Sequence, residues 1–242
     1  ISAVLLISPN LDNGIELTIT GDLVSKPYIL MTLKLMGKFG VKWTWIGNII
    51  TIRKQDYKAK NYKVESDWSS ASFWFQIASL SEKCNIKLHG LQEDSIQGDK
   101  KVIDIFKTLG VSSVLENRTL ILTKKKENSF PDKINLIEIP DLYQPLKCTL
   151  FAKNINTKFL GLQTLKNKET DRVSAIKTEL EKLNSTKIIE TYKDHRMAMS
   201  FVPLSLKFGY LQINNPEVVS KSYPNFWNDL KTGGFIISQL SD

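Results

Sequence analysis

Apolar positions along this chain change period at regular intervals, and the change repeats. Leu30, Leu33 and Met36 lie at helical spacing, and the run stops at Phe39-Gly40. Residues 41–46 then read as a strand, Gly47-Asn48 as a tight turn, and residues 49–53 as the returning strand. Val102, Phe106 and Leu109 share a second helix face, closed by Gly110. A strand, the turn Glu116-Asn117-Arg118 and another strand follow. A third copy starts at Val173, carries Ile176, Leu180 and Leu183 on one face, and ends at Asn184. Gly and Asn tolerate the left-handed conformation that closes a helix, so all three positions read as helix ends.

A second pattern runs in phase with the first. A short strand ends in a loop, and the loop feeds a helix. Residues 15–20 lead to Gly21 and Ser25-Lys26-Pro27-Tyr28, and residues 85–89 lead to Gly90 and Gln97-Gly98-Asp99. Residues 157–160 lead to Gly161 and Lys168-Glu169-Thr170-Asp171-Arg172. Residues 210–213 lead to Asn214-Asn215-Pro216 and Ser220-Lys221-Ser222-Tyr223-Pro224. Each loop carries polar or charged side chains to a helix start, where free backbone N–H groups and the helix dipole favour anions. The expected architecture is α/β, built from strand–helix–hairpin units.

Composition narrows the picture modestly. The chain has 242 residues, 42% of them hydrophobic and 24% charged, which is ordinary for a globular protein with a real core. A formal charge of +8 suits an anionic partner, and it suits plain solubility equally well. The lysines are scattered and show no basic stripe with interleaved aromatics, so nucleic acid is not expected as a partner. No apolar run is long enough for a membrane span, and no membrane partner is expected. Cys84 and Cys148 lie far apart and there are two histidines, His89 and His195, so neither a disulfide framework nor a zinc site is expected. A reducing, cytoplasmic location fits. The apolar start, Ile1-Ser2-Ala3-Val4-Leu5-Leu6-Ile7, carries no Met and suggests a sequence that begins mid-gene.

Five stretches carry candidate chemistry, and each has a bland reading beside it. Lys168-Glu169-Thr170-Asp171-Arg172 precedes an amphipathic helix, and i,i+4 spacing puts Lys168 and Arg172 on one face. The bland reading is a solvated charge cluster. Asp194-His195-Arg196-Met197-Ala198-Met199 opens a helix that is apolar to Leu206, with Asp194 as its cap. A buried arginine there needs an anion, which a structural Asp–Arg pair also supplies. Val219-Ser220-Lys221-Ser222-Tyr223-Pro224 echoes Val24-Ser25-Lys26-Pro27-Tyr28, with Ser222 as a plausible cap. Ser66-Asp67-Trp68-Ser69-Ser70-Ala71-Ser72 places small residues at a helix start, for packing, a hinge or binding. Ile139-Pro140-Asp141 puts a lone carboxylate before a helix, where it could simply cap.

In order and spacing, these stretches resemble the signatures of 5-enolpyruvylshikimate-3-phosphate (EPSP) synthases. The resemblance covers essentially the whole chain. It implies two similar domains, each of three βαβαββ units, in the inside-out α/β barrel fold of enolpyruvyl transferases, here truncated at the N-terminus. Residues 1–66 would be the last unit of the N-terminal domain and residues 67–242 the C-terminal domain. The family's lysine loop, a phosphoenolpyruvate-binding arginine and a Ser-Ser-Gln triplet would precede Ile1. Thr164, Lys166 and Asn167 depart from residues frequent in the family.

The implied reaction joins phosphoenolpyruvate to the 5-hydroxyl of shikimate 3-phosphate and releases phosphate, without metal or organic cofactor. By resemblance, Asp141 and Glu169 are the acid/base pair. Arg172, Arg196 and Lys221 hold phosphoenolpyruvate. Ser25, Tyr28, Asp141 and Lys168 hold shikimate 3-phosphate. This stretch alone is expected to be inactive. The alternatives are a non-catalytic anion binder and a UDP-N-acetylglucosamine enolpyruvyl transferase.

Overall fold

A computed structural model of the chain describes residues 1–21 and 23–239. Two hydrophobic cores lie on either side of the stretch 53–67. The first gathers Leu5, Ile29, Leu33, Met36, Val41, Ile50 and Ile52. It is enclosed by α1 (Ser2–Ile7), β1 (Ile15–Thr18), α2 (Lys26–Lys38), β2 (Thr44–Ile46) and β3 (Ile49–Ile52). The strands form an antiparallel sheet in the order β1-β3-β2, so the opening strand pairs with the closing strand of the hairpin. Ile29, rather than Leu30, joins Leu33 and Met36 on the buried face of α2. The expected face was one position off, and Leu30 instead lines a groove against the rest of the chain.

The same unit recurs in the second core. β4 (Asn85–His89), α4 (Val102–Thr108), β5 (Val111–Glu116) and β6 (Thr119–Lys124) build a sheet in the order β4-β6-β5. That is the order of the first sheet, and Asn117 and Arg118 turn the hairpin with positive φ. The third copy departs from the pattern. β7 (Lys133–Asn135) pairs in parallel with β8 (Lys158–Leu160), on either side of α5 (Tyr143–Ala152). After α6 (Arg172–Lys182) no hairpin forms among the described residues. β9 (Ile188–Ile189) pairs in parallel with β10 (Gln212–Ile213) instead. The chain between them runs into α7 (His195–Phe201) and α8 (Ser205–Phe208), because the stretch after Ile189 offers a helix cap where the earlier copies offer a turn. Pro203 starts a separate 3-10 turn, so the expected apolar helix to Leu206 is broken, although it stays buried to Leu204.

α3 (Trp68–Leu80) is the axis of the second core. Every residue on it except Ser70 is buried. A helix apolar on all sides belongs inside, and its Trp68, Phe73 and Phe75 each contribute about 2–3 kcal/mol by burial. Asp67 caps it, accepting from the backbone N–H groups of Ser69 and Ser70 at 3.0 Å. α3, α5 and α7 pack on one another, and the Gln76 amide donates to the Ser200 carbonyl at 2.8 Å to tie α3 to α7. α9 (Phe226–Thr232) follows the turn 216–221. Ser222 ends that turn and caps nothing, since Asn225 stands at the start of α9.

The seam between the two cores is held at a few points. Glu65 accepts from the Trp68 indole at 2.7 Å, the Gln92 N–H at 2.9 Å, the Ser95 hydroxyl at 2.8 Å and the Gln97 amide at 3.2 Å. The Ser25 N–H donates to the Ile137 carbonyl at 3.2 Å. Gly98 packs on Pro27 so closely that an added Cβ would lie 2.7 Å from the proline Cβ. Gly98→Ala is therefore expected to force α2 outward and cost about 1–3 kcal/mol, as overpacking does. Urea unfolding checks this. An unchanged midpoint would show that the seam is looser than described.

Candidate active site

Asp141 sits on the turn 140–142, just before α5, but its carboxylate does not cap that helix. Instead, three side chains on three other elements donate to it, with a lysine ammonium standing further off. The Tyr28 hydroxyl of α2 donates at 3.0 Å, and Arg196 of α7 donates at 3.1 Å, both to Oδ2. Arg172 at the start of α6 donates to Oδ1 at 3.2 Å, and the Lys168 ammonium stands 3.7 Å from the same oxygen. Arg196 also reaches the Asp141 carbonyl at 3.2 Å. One short carboxylate thus gathers α2 from the first core and α6 and α7 from the second.

Arg172 is the most enclosed cation of this group, at 2% exposure. Its Nε donates to Asp194 at 2.7 Å, and its Nη2 reaches the other Asp194 oxygen at 3.3 Å, a bidentate pair. Nη2 also donates to Glu169 at 2.8 Å. Asp194 is fully buried, and it caps α7 by accepting from the Arg196 N–H at 2.9 Å. Tyr192 and Lys193 both take positive φ immediately before it, which turns the chain sharply into the cap. Glu179 of α6, itself fully buried, steadies that corner. It accepts from the Tyr192 hydroxyl at 2.7 Å and the Glu190 N–H at 3.1 Å.

Glu169 lies between Arg172 and Lys221, whose ammonium is 2.7 Å from its second oxygen. Burial works to raise its pKa. The Lys221 hydrogen bond, with the Arg172 and Lys221 charges, outweighs burial and holds it at about 2. Burial likewise opposes ionisation of Asp141, and Arg196, Lys168 and Arg172 together hold it below the usual carboxylate range. Asp99 behaves in the opposite way. It is 3% exposed, the Ser69 hydroxyl donates to it, and burial pushes it up to about 6. Burial first, and then Asp99 and Asp141, push the Tyr28 phenol well up, so it stays a donor. Burial and Arg196 lower the His195 pKa, which favours the neutral ring.

The sequence-derived residues are therefore mostly brought together, with amendments. Tyr28, Asp141, Lys168, Glu169, Arg172, Arg196 and Lys221 form one connected cluster. Ser25 stands at its margin, three residues ahead of Tyr28, and uses its N–H on the seam. Lys168 and Arg172 do not share a helix face, because Asp171 caps α6 and Lys168 lies outside it. They meet through Asp141. Arg172 is no open clamp, since all three of its nitrogens already donate to carboxylates. Asp99 and Glu179 are not among the sequence-derived site residues. Glu179 carried no sequence signal beyond being an acid on the apolar side of α6. Asp99 carried one, as the charged end of a loop repeated elsewhere in the chain.

Two structures of EPSP synthase from Acinetobacter baumannii superpose with TM-scores of 0.73 and 0.74, at 21% and 20% identity. They cover 94% and 99% of this chain, and 58% and 60% of theirs. The fold is thus the α/β fold of these EPSP synthase structures. The family follows from sequence. The family model described as EPSP synthase (3-phosphoshikimate 1-carboxyvinyltransferase) matches residues 1–187 and 184–230, and the chain belongs to that family. It is 42% identical to a 3-phosphoshikimate 1-carboxyvinyltransferase of Bacteroides fragilis, over 97% of this chain and 63% of that protein. It is 32% identical to one of Methanospirillum hungatei, over 96% of this chain and 59% of that protein. The chain spans about three fifths of the length of these relatives.

Asp194→Asn keeps the cap on α7 but removes the charge opposite Arg172. The expected loss is about 3 kcal/mol, the scale for breaking a buried pair, measured as a fall in the denaturation midpoint. Acid should act on the same cluster from another side. Asp141 and Glu169 have depressed pKa values, so their stabilisation is present at neutral pH. It should disappear only as pH falls below about 4 toward their folded values. A midpoint that already declines near neutrality, and does so equally in Asp141→Asn, would contradict this.

Proposed function

We propose that the chain is part of an enzyme that transfers the enolpyruvyl group of phosphoenolpyruvate to the 5-hydroxyl of shikimate 3-phosphate and releases phosphate. The observation that carries this reading is the shared hub. Two carboxylates, Asp141 and Glu169, occupy neighbouring nitrogens of one buried guanidinium and are ringed by three further cations. Membership of the EPSP synthase family supports the same reaction.

The reaction needs a base at the attacking hydroxyl and an acid at C3 of phosphoenolpyruvate. Asp141 is ionised and able to accept the 5-hydroxyl proton as the oxygen bonds to C2. C3 gains a proton in that step and loses it when the C2–O bond to phosphate breaks. Glu169 is assigned to C3. With its pKa near 2 in the present arrangement it can only accept. An arriving anion that draws Lys221 and Arg172 toward itself removes what holds the pKa down, and Glu169 then becomes able to carry the proton. Arg196, Lys221 and the outer nitrogens of Arg172 hold the phosphate and carboxylate of phosphoenolpyruvate. Each must exchange a protein carboxylate for a ligand oxygen. The Arg172 Nε stays on Asp194, so the guanidinium is aimed before the ligand arrives. Tyr28, Ser25 and Lys168, with Asp141, are assigned to shikimate 3-phosphate.

The separate cores support residues 1–66 as one unit of an N-terminal domain and residues 67–242 as the C-terminal one. We place the chain in the cytoplasm, a reading supported by a sequence with two distant cysteines and no disulfide framework. The cluster forms one wall of the proposed site, and these 242 residues alone are expected to turn over no substrate.

Phosphate release from the two substrates tests the reading, using the protein at its relatives' full length. Release should require both substrates, and Glu169→Gln should lower it by about 10²–10⁴-fold. Release that survives Glu169→Gln would remove that residue from the chemistry. Binding of phosphoenolpyruvate without any release would leave an anion binder in place of an enzyme.

A further inference from the structure

Asp99, buried beside the cluster, has no cation paired with it among the described residues. Its Oδ2 accepts from the Ser69 hydroxyl. Its Oδ1 is enclosed and has no hydrogen-bond partner among the described residues. The residue lies on the turn 98–101, against α2, α3 and α4. The charged and titratable groups around it can be named element by element. α2 brings Tyr28, the start of α3 brings Asp67, the turn 140–142 brings Asp141, and α7 brings Arg196. On its own turn, Lys100 is taken up by the Glu93 carbonyl and Lys101 by Glu138. Asp104 of α4 lines the groove along the seam instead. Asp99 therefore has two acids near it and one cation, and that cation is already engaged by Asp141.

We propose that Asp99 is the proton acceptor that accompanies ligand binding: when a doubly charged anion seats on Arg196, Asp99 takes up one proton from solvent. This rests on the reading of Arg196 as an anion-holding residue. The anion adds negative charge beside a carboxylate that is already buried among acids, and a like charge disfavours the ionised form. The bare Oδ1 is the atom with room for the proton. Asp194 keeps its guanidinium throughout, and Asp141 and Glu169 start below the usual carboxylate range, whereas Asp99 starts above it and is the first to take up a proton. A starting pKa of about 6 leaves Asp99 ionised at neutral pH and close enough to respond. The site can then accept two new negative charges with one of them offset. Affinity for the anion becomes linked to pH and tightens as pH falls.

Sulfate is the probe, because it keeps both charges across the range examined and contributes no proton of its own. Calorimetric titrations on the protein at its relatives' full length, in two buffers of different ionisation heat, count the protons taken up per sulfate bound. In the wild type the uptake should approach one near neutral pH. Sulfate affinity should weaken by several-fold, up to about tenfold, per pH unit above about pH 6. Asp99→Asn should abolish both effects and leave a pH-independent affinity. Ser69→Ala should keep the uptake but move it to higher pH. It removes a donor that favours the ionised form, so Asp99 is already protonated at slightly acid pH and uptake there falls. Sulfate binding without proton uptake would overturn the proposal. Uptake that persists in Asp99→Asn would do the same and would point to Glu169, Asp141 or His195. Absence of sulfate binding in all three proteins would overturn the reading of Arg196, and this inference with it.

Discussion

A guanidinium at 2% exposure stays inside a protein only if anions surround it, and the Arg172 environment sets the form of everything nearby. Asp194 must be buried to meet it, so the chain turns through Tyr192 and Lys193 with positive φ and α7 begins where it does. Glu169 must fold back along the capped end of α6 to reach it. Asp141 must face away from its own helix to share it. The same Asp141 then receives Arg196 and Tyr28, and Tyr28 belongs to the first core. One buried charge thereby ties the two parts of the chain through a single carboxylate. Removing any neighbour leaves a charge without compensation, which is why the cluster is worth more to the architecture than its surface salt bridges.

That balance also prepares the chemistry. On the proposed function, the cations that a ligand needs are already aimed, and the carboxylates that a proton transfer needs are already ionised. Binding would then be an exchange, with an incoming anion replacing protein carboxylates on Arg196, Lys221 and part of Arg172. The exchange would free Asp141 and Glu169 while Asp194 keeps its hold. Little reorganisation is required at the moment of reaction, which is the condition under which fixed charges are most effective.

The repeated unit was legible in the chain because its signals are local. Helical spacing, a Gly or Asn stop and a short turn are each written in a few neighbouring residues, and β4, α4, β5 and β6 fall where that grammar puts them. The third copy was read less well. Its helix is present, but whether a hairpin follows depends on partners far away, and β9 finds β10 rather than its own neighbour. The motif stretches pointed to most members of the site, since charged residues at loop ends stand out. Their pairing did not show. Asp194 adjoins Arg196 in sequence yet binds the side chain of Arg172, and Lys168 meets Arg172 through Asp141 rather than along a helix. Asp99 stands out in the sequence only as the end of the Gln97-Gly98-Asp99 loop, because its burial and missing cation are not visible there.

The central claim is that ligand binding exchanges partners on a pre-aimed guanidinium. Side-chain nitrogen resonances of Arg172 and Arg196, followed by NMR while phosphoenolpyruvate is added to the protein at its relatives' full length, test this most directly. The account predicts that Arg196 and the outer nitrogens of Arg172 shift with saturation, while the Arg172 Nε, held by Asp194, stays in place. A titration in which binding saturates and neither arginine responds, or in which the Arg172 Nε moves first, would contradict it.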